Sequence, residues 1–178
     1  KAKSGVHAKA ETEVGLHQYK RNGATVSGAN DWAEGLFHYE NTQDDGWRNN
    51  SQYWANDWFG KLGVGSFEGA RVDFTAGHHR DRSGLPGNLS INEMGAIGRT
   101  GSKTSKDHAW GQDTYFTADP EWRFDLGENA FVISAFNSFQ RRLSKSNMVS
   151  WSTATTNNLD SYEFQPKISW AWPLTDWL

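Results

Sequence analysis

The chain contains no cysteine, which removes a disulfide framework, a thiolate metal site and a cysteine nucleophile from consideration. Long apolar runs are also missing. No stretch approaches the roughly 18 residues of a membrane-crossing helix, and nothing at the N-terminus has the pattern of a signal peptide. The chain opens Lys1-Ala2-Lys3 without Met, as expected of a processed, exported product. Leu, Ile and Val together number only 21, close to the scarcity at which composition points to disorder. Ten Trp, ten Phe and five Tyr, with a net charge of only -3, argue for an ordered chain instead. Neither sign of charge dominates: 18 Lys and Arg stand against 21 Asp and Glu, so nucleic acid is not an expected partner. At 178 residues a single domain spanning 1–178 is predicted.

What is present is period-two alternation, the signature of a strand with two unlike faces. Over residues 162–172, Tyr162, Phe164, Pro166, Ile168, Trp170 and Trp172 alternate with Glu163, Gln165, Lys167, Ser169 and Ala171. Over 115–126, Phe116, Ala118, Pro120, Trp122, Phe124 and Leu126 oppose Tyr115, Thr117, Asp119, Glu121, Arg123 and Asp125. Near the start, Val6, Ala8, Ala10, Thr12, Val14 and Leu16 oppose His7, Lys9, Glu11, Glu13, Gly15 and His17. Residues 70–76 and 131–139 read as strands as well. Residues 32–40 and 54–64 fit least well, because Glu34, His38 or Asn56 spoils one face under either phase. Pro120 and Pro166 fall inside strands and each removes a ladder donor, which predicts bulges, rims or edges there.

The connections alternate in length. Residues 66–69 and 127–129 have the Gly and Asn of tight hairpin turns. A long loop is predicted at about 78–111 and a polar one at 144–158. That leaves about seven strands, so a further strand is expected around 88–98 or the chain is a piece of a larger sheet. Short turns on one rim and long loops on the other are the habit of bacterial membrane barrels.

With its hairpins around Glu68-Gly69 and Trp122 to Ile133, its long loop, and the final Tyr162 to Trp172 followed by Pro173-Leu174-Thr175-Asp176-Trp177, the chain resembles Gram-negative outer-membrane porins. The likeness extends loosely to the sugar-specific, maltoporin-like kind. It implies an all-β, antiparallel transmembrane β-barrel of about eight strands, or a fragment of a larger barrel incomplete at the C-terminus. It also implies an outer-membrane location, contact with lipid bilayer and lipopolysaccharide, passive diffusion of small polar or charged solutes, sugars among them, and homo-oligomers. The alternative is a secreted, soluble β-sandwich that binds carbohydrate through Trp47, Trp110 and Trp151, or, further off, a glycosidase with paired acids.

On the barrel reading, charges on the lipid face would cost a few kcal/mol each. Arg71, Asp73, Asp119, Glu121, Arg123, Asp125, Glu163 and Lys167 are therefore the expected lumen residues. His78-His79-Arg80-Asp81-Arg82 opens the long loop, and with Arg99, Lys103, Lys106 and His108 makes it basic. By likeness to porin loops, His79, Arg80, Arg82 and Arg99 would narrow the pore and draw in anions. The other reading is an exposed loop meeting lipopolysaccharide phosphates or water. Adjacent His78 and His79 point to opposite faces, which makes a metal site unexpected. No Gly-x-Ser-x-Gly elbow, phosphate loop or His-Glu-x-x-His occurs, so neither catalysis nor a cofactor is predicted.

Overall fold

The computed structural model describes residues 4–66, 69–126 and 129–171. They form one antiparallel sheet of eight strands in sequence order: β1 Gly5–Val14, β2 Lys20–Ala29, β3 Ala33–Asp44, β4 Tyr53–Gly65, β5 Ala70–Gly84, β6 His108–Leu126, β7 Asn129–Met148 and β8 Thr153–Ala171. The sheet is open; β1 and β8 are its edges, so a closed barrel is not shown. One short helix, α1 Ile91–Ile97, lies between β5 and β6.

The register carries the two-faced pattern of single strands across the whole sheet, because direct partners share a face. One paired row runs Val26, Phe37, Gly60, Ala76, Phe116, Phe139 and Tyr162. A second runs Leu36, Lys61, Thr75, Thr117, Ser138 and Glu163 on the opposite face. The apolar face is uncovered: Val26, Phe37, Leu62, Phe116, Trp122, Phe124, Phe164, Ile168 and Trp170 are all exposed. Among the described strand residues the buried ones are Ala55, Gly63, Arg71 and Gly77, and all four lie on the charged face. The ordinary arrangement of a soluble protein, apolar inside and polar outside, is inverted.

Several expectations are corrected. The eighth strand is not at 88–98, where helix α1 stands, but at β2, whose small and polar residues Asn22, Gly23, Ser27 and Gly28 hide its alternation. The loop expected at 78–111 is confined to 85–107, since β5 runs to Gly84 and β6 begins at His108. His79, Arg80 and Arg82 are therefore strand residues. The polar stretch 144–158 is not a loop either. β7 continues to Met148, a single 3-10 turn at Val149–Trp151 reverses the chain, and β8 starts at Thr153, with Ser152 in the left-handed region at φ 51°. Beyond the apolar zone both faces are polar, so hydrophobic alternation disappears while the backbone ladder persists. The first strand stops at Val14 rather than Leu16, which opens a 3-10 turn.

The prolines sit where strands tolerate them. Pairing between β6 and β7 lapses at Asp119 and Pro120 and resumes at Glu121↔Ser134, and Pro166 lies on the edge strand β8. Of the expected tight turns, residues 67–68 and 127–128 lie outside the described residues, as do Trp172 and the C-terminal segment 173–178.

Candidate functional site

The charged face is the candidate site, and many of its charged side chains are paired with opposite charges. Arg71 is its most enclosed cation, 8% exposed. Its Nε donates to Asp73 Oδ2 at 2.8 Å, and its Nη2 donates to Asp73 Oδ1 at 2.7 Å and Glu34 Oε1 at 2.6 Å. The fork of the guanidinium matches the carboxylate of Asp73. It can lie flat because position 63 is glycine: a Cβ there would collide with both the guanidinium and the Asp73 carboxylate. Gly77 does the same for Tyr115, whose ring and hydroxyl lie where a Cβ would be, 2.5–2.6 Å away.

Other groups repeat the theme along the face. Arg21 bridges Glu40 at 2.7 Å and Glu13 at 3.6 Å, and His38 takes a hydrogen bond shared with Thr25 Oγ1 at 2.8 Å. His79 stands between Asp57 at 2.6 Å and Asp81 at 3.3 Å. Arg142 and Gln140 both donate to Asp113. The result is a polar surface on which fixed charges of both signs alternate over a few ångströms.

The expected lumen residues fall on this face without exception by register, the side chain of Asp125 being outside the described set. They do not all meet. Arg71, Asp73, Asp119 and Glu121 line one recess of about 280 Å³ with Ser134 and Phe136. Asp119 lies directly across the ladder from Asp73, and its Oδ1 is buried with no hydrogen-bond partner among the described residues. Arg123 is exposed toward the turn rim, its backbone N–H donating to Gly69 O at 2.8 Å. Glu163 and Lys167 stand apart on β8, opposite Ser138 and Ser134, with Glu163 accepting from Gln165.

Of the residues expected in a constriction, His79 is on the charged face, whereas Arg80 and Arg82 project from the opposite one. Arg99 is exposed just beyond α1. The loop that carries it is tied to its neighbours at the rim. Arg48 donates to Gly101 O at 3.0 Å and Pro86 O at 3.3 Å; Asn50 donates to Thr104 O and Asp107 O at 2.5 and 2.8 Å. Asp107, 3% exposed, accepts from the backbone N–H of Ser150 at 3.0 Å and from its hydroxyl. Those bonds hold the Asp107 carboxyl below its usual range. Ser90 and Glu93 cap α1 reciprocally, and Lys103 sits 2.6 Å from Glu93. Together these hold Glu93 well below the ordinary 4.5, at about 2, Lys103 being the largest cause.

Glu34, Asp57, Asp81, Asp113 and Arg142 complete the site and were not singled out by sequence. Glu34 and His38 are not faults in the pattern of β3. They are its charged phase, with Ala33, Gly35, Phe37 and Tyr39 on the other side and Leu36 the true exception. Asn56 does lie on the apolar side, where it accepts from Tyr39 Oη and Asn41 at 2.8 and 2.9 Å. Among the described residues no three His, Cys, Asp or Glu are placed to hold a metal. Of the tryptophans that a sugar might stack on, Trp47 and Trp151 are exposed, but Trp110 has Arg80 and Lys145 over its ring at 5.7 and 5.5 Å. No protein-family model, no curated protein and no solved structure matches this chain.

Proposed function

We propose that this chain forms part of the wall of an outer-membrane β-barrel channel, with the uncovered face against lipid and the charged face lining a passage for small polar or charged solutes. The observation that carries the reading is the inversion of the sheet: large apolar residues of one face are exposed while Arg71, with Glu34 and Asp73 around it, is enclosed on the other. A β-sandwich would need a second sheet over Leu62, Phe74 and Phe116, and the eight described strands belong to one sheet.

Dimensions support it. On β6 the apolar positions run from Phe116 to Phe124, eight residues or about 27 Å along the strand. At a tilt near 40° this is a band of about 20 Å, comparable with the ~25 Å of membrane barrels. The tilt has its own support in the register. The row starting at Gly5, the first residue of β1, passes through Ala29, Glu34, Gly63 and Asp73 to Asp119, and β6 continues seven residues further, from 119 to 126. Seven residues of rise, about 23 Å, over five inter-strand steps, about 24 Å, correspond to roughly 44°, within the range that barrel closure requires. Aromatic residues stand at both margins of the band: Trp122, Phe124, Phe131 and Trp170 toward the turns, Tyr39, Trp58, Phe139 and Tyr162 toward the loops.

Because most lumen charges are paired, the passage would discriminate weakly by sign and chiefly by bore. Single-channel recording in planar bilayers tests this, together with heat-modifiable migration in gels. Discrete conductance steps are expected; a chain that stays monomeric and soluble without detergent, and leaves bilayers silent, overturns the reading.

A further inference from the structure

Strand β5 carries Arg80-Asp81-Arg82, and the pleat sends Asp81 to the charged face and both arginines to the other. Across the ladder, Arg82 faces Trp110, and Trp110 faces Lys145. The indole thus holds two cations at once, the Arg80 guanidinium 5.7 Å and the Lys145 ammonium 5.5 Å from its ring. Thr156, paired with Lys145, and His108, two residues from Trp110, share this face and border the same hollow of about 440 Å³.

This cluster differs from the arginines of the charged face that stand in ion pairs. Arg21, Arg71 and Arg142 each pair with a carboxylate, whereas Arg80, Arg82 and Lys145 have no carboxylate within ion-pair distance among the described residues. The nearest acid on their face in the ladder, Asp160, is engaged by Arg141 at 3.5 Å. The height of the cluster is equally particular. Arg80 lies four residues beyond Ala76, whose row ends the apolar zone. That is about 13 Å along the strand and about 10 Å along the membrane normal for a strand tilted near 40°, and Arg82 and Lys145 lie about 5 Å higher; with the ~20 Å apolar band centred in the bilayer the cluster stands about 20–25 Å from the midplane, at the outer margin of the headgroup layer, to which the long side chains can reach back.

We infer that Arg80, Arg82 and Lys145, gathered on Trp110, form an outward-facing site for the phosphate groups of a lipid headgroup in the leaflet nearest the loops. The inference rests on the wall reading. Three cations with no acid of their own, at the outer margin of the headgroups, complement the charge of a phosphorylated glycolipid; the indole fixes their spacing, and the Thr156 hydroxyl beside Lys145 adds a donor to phosphate oxygens.

The test compares binding of the purified chain to phosphatidylcholine vesicles with binding to the same vesicles containing one-tenth bis-phosphorylated lipid A, for the native chain and for R80Q/R82Q/K145Q. Each cation near an anionic surface is worth roughly a fivefold gain, so the three together should give about 100-fold. The native chain is expected to gain that preference, the triple variant to lose it, and R80K/R82K to keep most of it, while all three enter phosphatidylcholine alike. An equal gain in native chain and triple variant overturns the site. So does full competition by millimolar inorganic phosphate, which would mark a free-anion site. Failure of the native chain to enter phosphatidylcholine overturns the wall reading itself.

Discussion

Leu62→Arg separates the two ways of burying this sheet. Leu62 lies on β4 between Gly35 and Phe74 in the paired row that continues to Ala118, well inside the apolar zone, and 48% of it is exposed. In water, replacing a half-exposed leucine in an open face with arginine would change stability by no more than about 0.5 kcal/mol. In a bilayer the same guanidinium faces hydrocarbon, and the cost at mid-depth is about 2–4 kcal/mol, a 30- to 900-fold loss in the folding equilibrium. Thr117→Arg is the matched control. It lies on β6, paired with Thr75 and Ser138 on the charged face, near the carboxylates of Asp73 and Asp119, and should change stability by less than about 1 kcal/mol. Equilibrium unfolding in guanidinium of chain refolded into vesicles gives both numbers. A Leu62→Arg protein as stable as the native one in vesicles, or a Thr117→Arg protein as damaged as Leu62→Arg, refutes the assignment of faces.

Arg71→Met leaves Glu34 and Asp73 facing each other without their cation; since both carboxylates are about a quarter exposed, a loss of about 1–3 kcal/mol is expected, read as a lower denaturant midpoint, and Asp73→Asn in the same chain should restore part of it. Gly77→Ala places a methyl where the Tyr115 ring lies and should cost about 1–3 kcal/mol. In a double-mutant cycle the cost should shrink when Tyr115 is also made alanine. Folded Glu93 gives up its proton near 2 rather than 4.5, so its contribution to the cap of α1 is complete above about pH 4.5 and is lost as pH falls through 2. Protection of the amides of residues 91–97, measured against their intrinsic exchange rates at each pH, should fall over that interval, and Glu93→Gln should remove the dependence. Asp107→Ala severs the bonds to Ser150 and should expose the 85–107 loop to limited proteolysis without moving the midpoint of the sheet.

The two faces were legible wherever bulk contrasts with charge, as in Phe116-Thr117-Ala118-Asp119 or Ile168 against Lys167. They were illegible in β2, where Gly23, Ser27 and Gly28 offer no contrast, although its partners in β1 and β3 hold it in register over ten residues. They were misread in β3, where Leu36 interrupts the charged phase. The ends of β5 to β8 escaped for a different reason. Past His78 the strands leave the apolar zone, and a ladder whose two faces both meet polar surroundings has no reason to alternate. The ion pairs themselves are long-range facts. That Arg71 meets Glu34, 37 positions earlier, follows from the meander's register and from no local pattern.

The continuity of β7 across that boundary has a consequence for dynamics. Its 20 residues belong to one hydrogen-bonded ladder, yet the half from Phe131 to Phe139 is flanked by Phe124, Ile168 and Trp170, and the half from Arg141 to Met148 by Gln112, Asn158 and Thr156. Amide protons of a single strand should thus divide into two populations: one released only by global opening within lipid, the other by local opening toward water. On the proposed wall, the crossover near Gln140 would mark the outer edge of the hydrocarbon to within a residue or two.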